Sequence, residues 1–292
     1  MKKKSSLKHT GAFWAFCAPC CILFGVFFLV PLVLSIAFSF TNYDGWKTID
    51  FVGLTNYITL FKDSKFYLSL GRTLLYTVCT LPFRVIIPLL MAVLLCSKRV
   101  AGKSLTRTMV YIPVLMSSLV VGITINWMFS QEYGLVNFII RSLGGTALEW
   151  SLNPRLATFV IAFASVWASI GFNMILYSGG INSISNDLYE AATIDGASGV
   201  QAFFRITVPM LAPTTFMVVL LSTVNLLKEY ALVQGITQGG PGLSTTFIIQ
   251  YIFDKGFNQM QYGYASAIST VVMIIFALIA FAQFKVNNGG ET

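Results

Sequence analysis

The sequence predicts an all-α polytopic membrane protein with about six transmembrane helices. The chain of 292 residues is 56% hydrophobic and only 10% charged, whereas a soluble domain carries about a quarter charged residues. Apolar runs of ~20 or more residues, the length of a membrane-spanning helix, recur along the chain. This composition indicates a protein that is built to sit in a lipid bilayer.

The apolar runs divide the chain into predicted spans separated by polar loops. The first run is too long for a signal-peptide core, and no small-residue cleavage site stands out, so we interpret it as a retained span. The segment after it, beginning Asn42-Tyr43-Asp44-Gly45, has the composition of a turn. The predicted spans cover residues 14–40, 70–96, 108–129, 156–178, 208–232 and 262–284.

Lysine and arginine indicate the orientation of these spans. Cytoplasmic loops carry an excess of both residues, and the cations crowd into short segments if the N-terminus is inside. This arrangement predicts a cytoplasmic basic tail over residues 1–13, a single transmembrane domain over 14–285 and a cytoplasmic tail over 286–292. The formal net charge of +8 therefore relates to membrane orientation and not to nucleic acid.

Sequence signals of an enzyme are missing. The chain has no G-x-x-x-x-G-K-[ST] phosphate loop, so it lacks the usual means of binding and hydrolysing ATP. The single histidine, His9, lies in the N-terminal tail, and the five cysteines fall inside or at the ends of apolar runs, where cysteine is usually a small hydrophobe. The sequence predicts a non-enzymatic chain with no metal site or cofactor of its own and an energy source on another chain.

The segment between spans four and five looks like a soluble helix. Residues 190–213 read EAATIDGASGVQAFFRITVPMLAP, in which small residues allow close packing against another protein. Gly196 is expected to break or bend the helix, which we expect to open at Glu190. Pro209 and Pro213 then mark the start of the next span. An ordinary alanine-rich cytoplasmic loop is the alternative interpretation.

This pattern resembles the EAA loop of permease subunits from binding-protein-dependent ABC importers. In that family the loop, here residues 181–207, carries the coupling helix that docks into a cleft on the cytoplasmic ATPase. The resemblance implies that the ATPase-coupling residues are Glu190, Ala191, Ala192, Asp195, Gly196 and Ala197.

Further motifs extend the resemblance from about Pro31 onward. Phe51-Val52-Gly53-Leu54, followed by Asn56-Tyr57, is typical of sugar permeases, and Thr237-Gln238-Gly239-Gly240-Pro241 resembles the loop of the first permease subunit. The set is similar to the maltose and glycerol-phosphate first-permease group. It implies a second homologous permease as heterodimer partner, two ATPase subunits that bind ATP and Mg²⁺, an extracellular solute-binding protein and a bacterial-type cell membrane.

A permease for a polar solute needs polar and aromatic groups facing an internal cavity at mid-membrane depth. In span five, Ser222, Leu226 and Glu229 follow i, i+4, i+7 spacing and are expected to share one helix face. Span four offers a similar stripe, and the corresponding positions line the sugar site in the maltose-type importer. The candidate substrate path comprises Ser165, Ser169, Phe172, Asn173, Ser222, Asn225, Leu226, Glu229 and Tyr230.

The ionisable residues inside the spans leave alternatives open. Glu229 favours a substrate with many donor hydroxyls, or a cationic one, over an anionic one, but it also has a structural interpretation as an ion-pair partner. Arg84 either pairs within the bundle or with the partner permease, or it attracts an anionic ligand. Lys228 pairs elsewhere or snorkels to an interface. The serines have an alternative role as contacts between helices.

These observations favour an importer permease that translocates a sugar or oligosaccharide. The alternatives are an ABC permease for a non-sugar solute and a secondary transporter driven by an ion gradient. A secondary transporter leaves the pattern of residues 190–213 unexplained.

Overall fold

The computed structural model describes residue 14 and residues 16–46, 49–96 and 102–288. The tail predicted over residues 1–13, part of the basic loop at 97–101 and the last residues of the C-terminal tail lie outside these ranges. The all-α fold is confirmed, since the described residues add only an isolated antiparallel bridge between Thr41 and Phe51. In chain order, helices α1 to α13 cover Phe16–Phe38, Thr55–Lys62, Ser64–Cys96, Lys103–Leu115, Ser118–Met128, Leu135–Ser142, Pro154–Asn182, Asn186–Ile194, Gly199–Met210, Ala212–Leu227, Ala231–Ile236, Ile248–Phe253 and Tyr262–Asn288.

By length and composition, 4 of the described helices can each cross a membrane, namely α1, α3, α7 and α13. Two bent pairs pass the same test when their helices are taken together. The helices of the pair α4 and α5 meet at 105°, and those of the pair α9 and α10 meet at 67°. The described part of the chain therefore supports up to 6 spans, as the sequence predicts, if each bent pair is one crossing.

Spans three and five, predicted over residues 108–129 and 208–232, are not single helices. Span three breaks after Leu115, because Met116 and Ser117 adopt extended backbone before α5 begins. Span five does not continue to residue 232, because α10 ends at Leu227 and the separate helix α11 begins at Ala231. Periodicity does not reveal these breaks, since the residues on both sides of each break are apolar.

The described helices fall into two compact units. The first contains the chain up to Ser64 together with Ile252–Ile275. There the amide of Asn56 donates to the carbonyl oxygens of Ser39 (2.9 Å) and Thr41 (2.8 Å). The hydroxyl of Tyr57 lies 2.6 Å from that of Ser39. The Asn-Tyr motif therefore ties α2 to the end of α1.

The second unit contains Lys65–Tyr251 and the chain from Phe276 onward. It has two hydrophobic clusters, both of which use α3 and α7. One cluster includes Tyr76, Ile161, Leu226 and Phe247. The other includes Leu95, Tyr177, Leu211 and Val218. These clusters fix α3, α7 and α10 as the frame around the break that follows α10.

The short helix α11 packs against α5 at very close range. The two backbones approach at Gly122 and Gly235, where a Cβ added to Gly235 would lie 2.7 Å from the carbonyl oxygen of Leu119 and 2.9 Å from the Cα of Gly122. Small residues permit such approach between helices in membranes. This contact holds α11 beside α5 and so keeps the chain from continuing as a straight span.

The Thr237–Pro241 motif forms a compact loop directly after α11. The Thr245 hydroxyl donates to the carbonyl oxygen of Gly240 (2.6 Å) and lies 2.8 Å from the Thr237 hydroxyl. Gly239 has φ +91°, a conformation that glycine adopts without strain. The motif therefore forms a hydrogen-bonded loop that connects α11 to α12.

Candidate functional site

The break between α10 and α11 opens onto a cavity of about 470 Å³ within the second unit. Its other walls come from α3, from α7 and from the bend between α4 and α5. Ligand pockets usually measure about 300–1,000 Å³, so the cavity can hold a small solute. Its polar and aromatic lining residues are Arg84, Ser118, Ser169, Phe172, Asn173, Ser222, Asn225, Lys228, Glu229 and Tyr230.

A buried polar network forms one wall of this cavity. Arg84 of α3 lies 3.9 Å from the Glu229 carboxylate, with side chains only 6% and 12% exposed. The same guanidinium donates to the hydroxyl of Ser165 on α7 at 2.6 Å. Buried charges are stable only when they are paired and hydrogen-bonded. Arg84 and Glu229, two of the charges that the sequence places inside spans, therefore meet in one ion pair, as one of the open interpretations proposed.

Asn173 connects three of the surrounding helices. Its amide donates to the backbone carbonyl oxygen of Arg84 on α3 at 2.9 Å and to the Ser222 hydroxyl on α10 at 3.2 Å. Both contacts are buried, so their loss would leave polar groups unsatisfied. This amide thus holds the two stripes predicted from spans four and five next to each other.

The cavity brings together most of the substrate-path residues predicted from the sequence. Leu226 is not in the lining, since its side chain is fully buried in a hydrophobic cluster. Ser165 is also fully buried and reaches the cavity only through Arg84. The predicted residues that do line the cavity are Ser169, Phe172, Asn173, Ser222, Asn225, Glu229 and Tyr230. Whether cargo contacts them stays a prediction.

The expected common helix face of Ser222, Leu226 and Glu229 is wrong for Glu229. The helix ends at Leu227, so Glu229 lies in the break and reaches the cavity from a turn. A helical wheel cannot place a residue beyond the end of its helix, which is why periodicity misassigned it.

The substrate path predicted from the sequence leaves out the two basic residues that line the cavity. Arg84 and Lys228 both contribute to the wall of the cavity, although both appeared as charges inside predicted spans. That signal was present, because ionisable residues at membrane depth are functional candidates by default.

The proposed coupling segment is a helical hairpin formed by α8 and α9. The helix α8 begins at Asn186 after the cap Ser185, so the expected start at Glu190 is wrong by one turn. Near the end of α9, the Thr207 hydroxyl lies 2.9 Å from that of Tyr189. Glu190 and Asp195 are both exposed. The hairpin therefore displays its acidic groups at the surface of the chain.

Gly196 ends α8 in a Schellman motif. The N–H of Ala197 donates to the carbonyl oxygen of Ala192 at 2.8 Å, and the N–H of Gly196 donates to that of Thr193 at 3.1 Å. Gly196 has φ +76°, the left-handed conformation that this motif requires. The predicted break at Gly196 is therefore confirmed.

Large apolar side chains of this hairpin are exposed, as its acidic residues are. Ile194, Val200 and Phe204 are 87%, 68% and 63% exposed. Exposed apolar side chains that cluster beside charged ones mark interaction surfaces. Glu190, Asp195 and these three apolar residues are all exposed, and all lie in the segment between α7 and α10.

Comparison with known proteins gives consistent results. Residues 61–288 match the family described as "Binding-protein-dependent transport system inner membrane component". The arabinooligosaccharides transport system permease protein AraP of Bacillus subtilis is 32% identical over 94% of this chain and 88% of its own length. The lactose transport system permease protein LacF of Rhizobium radiobacter is 32% identical over 93% of this chain and 92% of its own length.

A solved structure shares the fold. In the crystal structure of a bacterial alginate ABC transporter in complex with an alginate pentasaccharide-bound periplasmic protein, a chain aligns with a TM-score of 0.83 at 23% identity, over 97% of this chain and 96% of that one. Together with the match over most of the sequence, this fold establishes a multi-pass membrane protein that transports and is not an enzyme. The chain belongs to the family of inner membrane components of binding-protein-dependent ABC transport systems.

Proposed function

We propose that the chain is the permease subunit that carries a sugar or oligosaccharide through an ATP-driven importer. The cavity beside the α10–α11 break carries this proposal, because it gathers seven of the nine predicted path residues in one place. Hydroxyl, amide and carboxylate groups match the donors and acceptors of a saccharide. Phe172 and Tyr230 offer apolar faces for its C–H groups. Relatives named for arabinooligosaccharide and lactose transport support the same substrate class.

The transport cycle that we propose uses partner chains at both faces. A loaded solute-binding protein docks on the outer loops, and a second homologous permease completes the pathway. Two ATPase subunits bind ATP and Mg²⁺ and close beneath the α8–α9 hairpin. Glu190, Ala191, Ala192, Asp195, Gly196 and Ala197 provide the docking surface, and α9 transmits the closure to α10. The N- and C-termini lie in the cytoplasm in this arrangement.

The test is uptake by vesicles that hold the chain with its partner permease and ATPase. Labelled mono-, di- and trisaccharides are presented by the cognate binding protein, with and without ATP. We expect ATP-dependent uptake of at least one saccharide. Uptake of none of them would refute the saccharide assignment. Uptake that persists without the ATPase would favour an ion-coupled carrier.

The variant Glu229→Gln tests the cavity in the same vesicles. We expect saccharide uptake to fall about tenfold or more, because the change removes a charged acceptor and leaves Arg84 without its counter-ion. The conservative control is Lys285→Gln, an exposed position at the end of α13 that does not line the cavity. Equal uptake by wild type and Glu229→Gln would exclude Glu229 from the substrate path.

A further inference from the structure

The cavity carries an unbalanced charge. Three ionisable residues line it, namely Arg84, Lys228 and Glu229. The contact between Arg84 and Glu229, at 3.9 Å, cancels one cation against the one anion. Lys228 remains as an exposed ammonium group, and no salt bridge to it occurs within the described part of the chain. The wall that this chain contributes therefore has a surplus of one positive charge.

Hydrogen-bond donors are also in surplus beside the ion pair. Arg84 is only 5% exposed. Its Nε atom is buried and has no hydrogen-bond partner among the described residues. A buried donor without an acceptor is unusual in proteins, because it loses its hydration without replacement. The ammonium group of Lys228 adds three donors and no acceptor. An acceptor-rich, anionic group is the chemical complement of the Lys228 ammonium on this wall.

We propose that the cargo of this cavity is an acidic saccharide, one whose sugar ring bears an anionic group such as a carboxylate or a phosphate. The inference rests on the proposed sugar-importer function and specifies its substrate class. Lys228 holds the anionic group by charge-assisted hydrogen bonds, which are the stronger kind. Asn173, Ser222 and Asn225 meet the neutral hydroxyls of the same ligand.

This inference reverses the expectation drawn from Glu229 in the sequence. A lone carboxylate inside a span favours donor-rich or cationic cargo and disfavours an anion. In the structure the carboxylate lies 3.9 Å from the Arg84 guanidinium, with only 12% of the Glu229 side chain exposed. Because its charge is compensated, Glu229 no longer sets the sign of the cavity, and Lys228 does.

The experiment compares acidic and neutral cargo in the complete transporter. Vesicles contain the chain, its partner permease and the ATPase. Each cargo is titrated directly against the cognate binding protein, and uptake is measured at a cargo concentration that saturates that protein. The labelled cargoes are digalacturonate, a phosphorylated disaccharide and a neutral disaccharide, which separate carboxylate from phosphate. We expect the wild type to take up an anionic cargo faster than the neutral one.

Three variants test the role of Lys228. We expect Lys228→Gln to lower the ratio of acidic to neutral uptake about tenfold, because it removes one charge-assisted contact and keeps a polar side chain that is only one atom shorter. Lys228→Arg should keep the ratio near that of the wild type. The control Lys285→Gln removes an exposed lysine that does not line the cavity and should not change the ratio.

Each outcome separates this inference from the proposed function. A wild type that imports only neutral saccharides would overturn the acidic cargo and leave the sugar importer in place. An equal loss of acidic and neutral uptake in Lys228→Gln would also overturn it, because the loss would not depend on charge. Failure of every saccharide in the wild type would instead reject the proposed function itself.

Discussion

At the scale of single residues, the Arg84–Glu229 ion pair is the feature with the largest energetic consequences. Each charge is buried, at 6% and 12% side-chain exposure, and each is stable only because the other is present. Removing one partner of a buried pair costs about 3–5 kcal/mol, whereas replacing both by apolar residues is often neutral. We therefore expect the pair to contribute more to the choice of a single helix arrangement than to the net free energy of unfolding.

A double-mutant cycle measures this dependence. We expect Arg84→Met to destabilise the detergent-solubilised chain by about 3 kcal/mol, because it leaves the Glu229 carboxylate buried and unpaired. Arg84→Met combined with Glu229→Met should recover most of that loss. Thermal unfolding of the two single variants and the double variant provides the coupling free energy. Strict additivity of the two single effects would show that the pair contributes no coupling.

At the scale of elements, the contact between α5 and α11 determines where the cavity lies. Gly122 and Gly235 allow the two backbones to approach within van der Waals range, with no space for a Cβ on either side. The short helix α11 is thereby held beside α5, and the chain leaves the axis of α10 after Leu227. Lys228 and Glu229 reach the cavity because of this break.

A bulky residue at this crossing should displace α11. We expect Gly235→Leu to lower the thermal stability of the purified chain by several degrees and to abolish ATP-driven uptake, because the side chain would overlap the backbone of α5. The matched control is Gly179→Leu in α7, a helical glycine with no atom within 4 Å of an added Cβ. Equal behaviour of the two variants would contradict the importance of the close approach.

At the scale of the whole molecule, the α8–α9 hairpin is the segment through which we propose that ATP hydrolysis drives transport. Its Schellman motif sets the angle at which α9 leaves α8, since Gly196 alone has the left-handed conformation between them. After the short link of Ala197 and Ser198, α9 and α10 follow each other with one 67° bend between them. A rigid movement of the hairpin would therefore displace the helix that carries Ser222 and Asn225.

Substitution of Gly196 should uncouple hydrolysis from uptake. We expect Gly196→Trp to insert into the membrane and to permit ATP hydrolysis by the assembled transporter while uptake falls at least tenfold, because a bulky residue in a left-handed position disturbs the docking surface. Gly196→Asn is the matched control, since asparagine tolerates this conformation. Simultaneous measurement of phosphate release and cargo uptake distinguishes uncoupling from loss of assembly. Normal ATP-driven uptake by Gly196→Trp would refute the proposed coupling role.

Composition and motif spacing were sufficient for the fold class, for the family and for the hairpin. Apolar runs reveal spans because a helix must hide its backbone from lipid over a fixed length. The glycine at position 196 indicates a helix end because only that residue adopts the left-handed conformation readily. Both kinds of inference depend on local chemistry, which the sequence displays directly.

Tertiary structure alone decided where spans three and five break, and it therefore placed Glu229 beyond the end of its helix. It also decided that Glu229 pairs with Arg84, which lies 145 positions earlier in the chain. Apolar segments flank both breaks, so the helical period by itself does not mark them. An ion pair depends on which helices pack together, and this depends on contacts such as Gly122 with Gly235 that lie far apart in sequence. The sequence determined that this chain carries charged residues into the predicted spans, and the packing of its helices decided that Arg84 pairs with Glu229 while Lys228 lines the cavity without an ion-pair partner among the described residues.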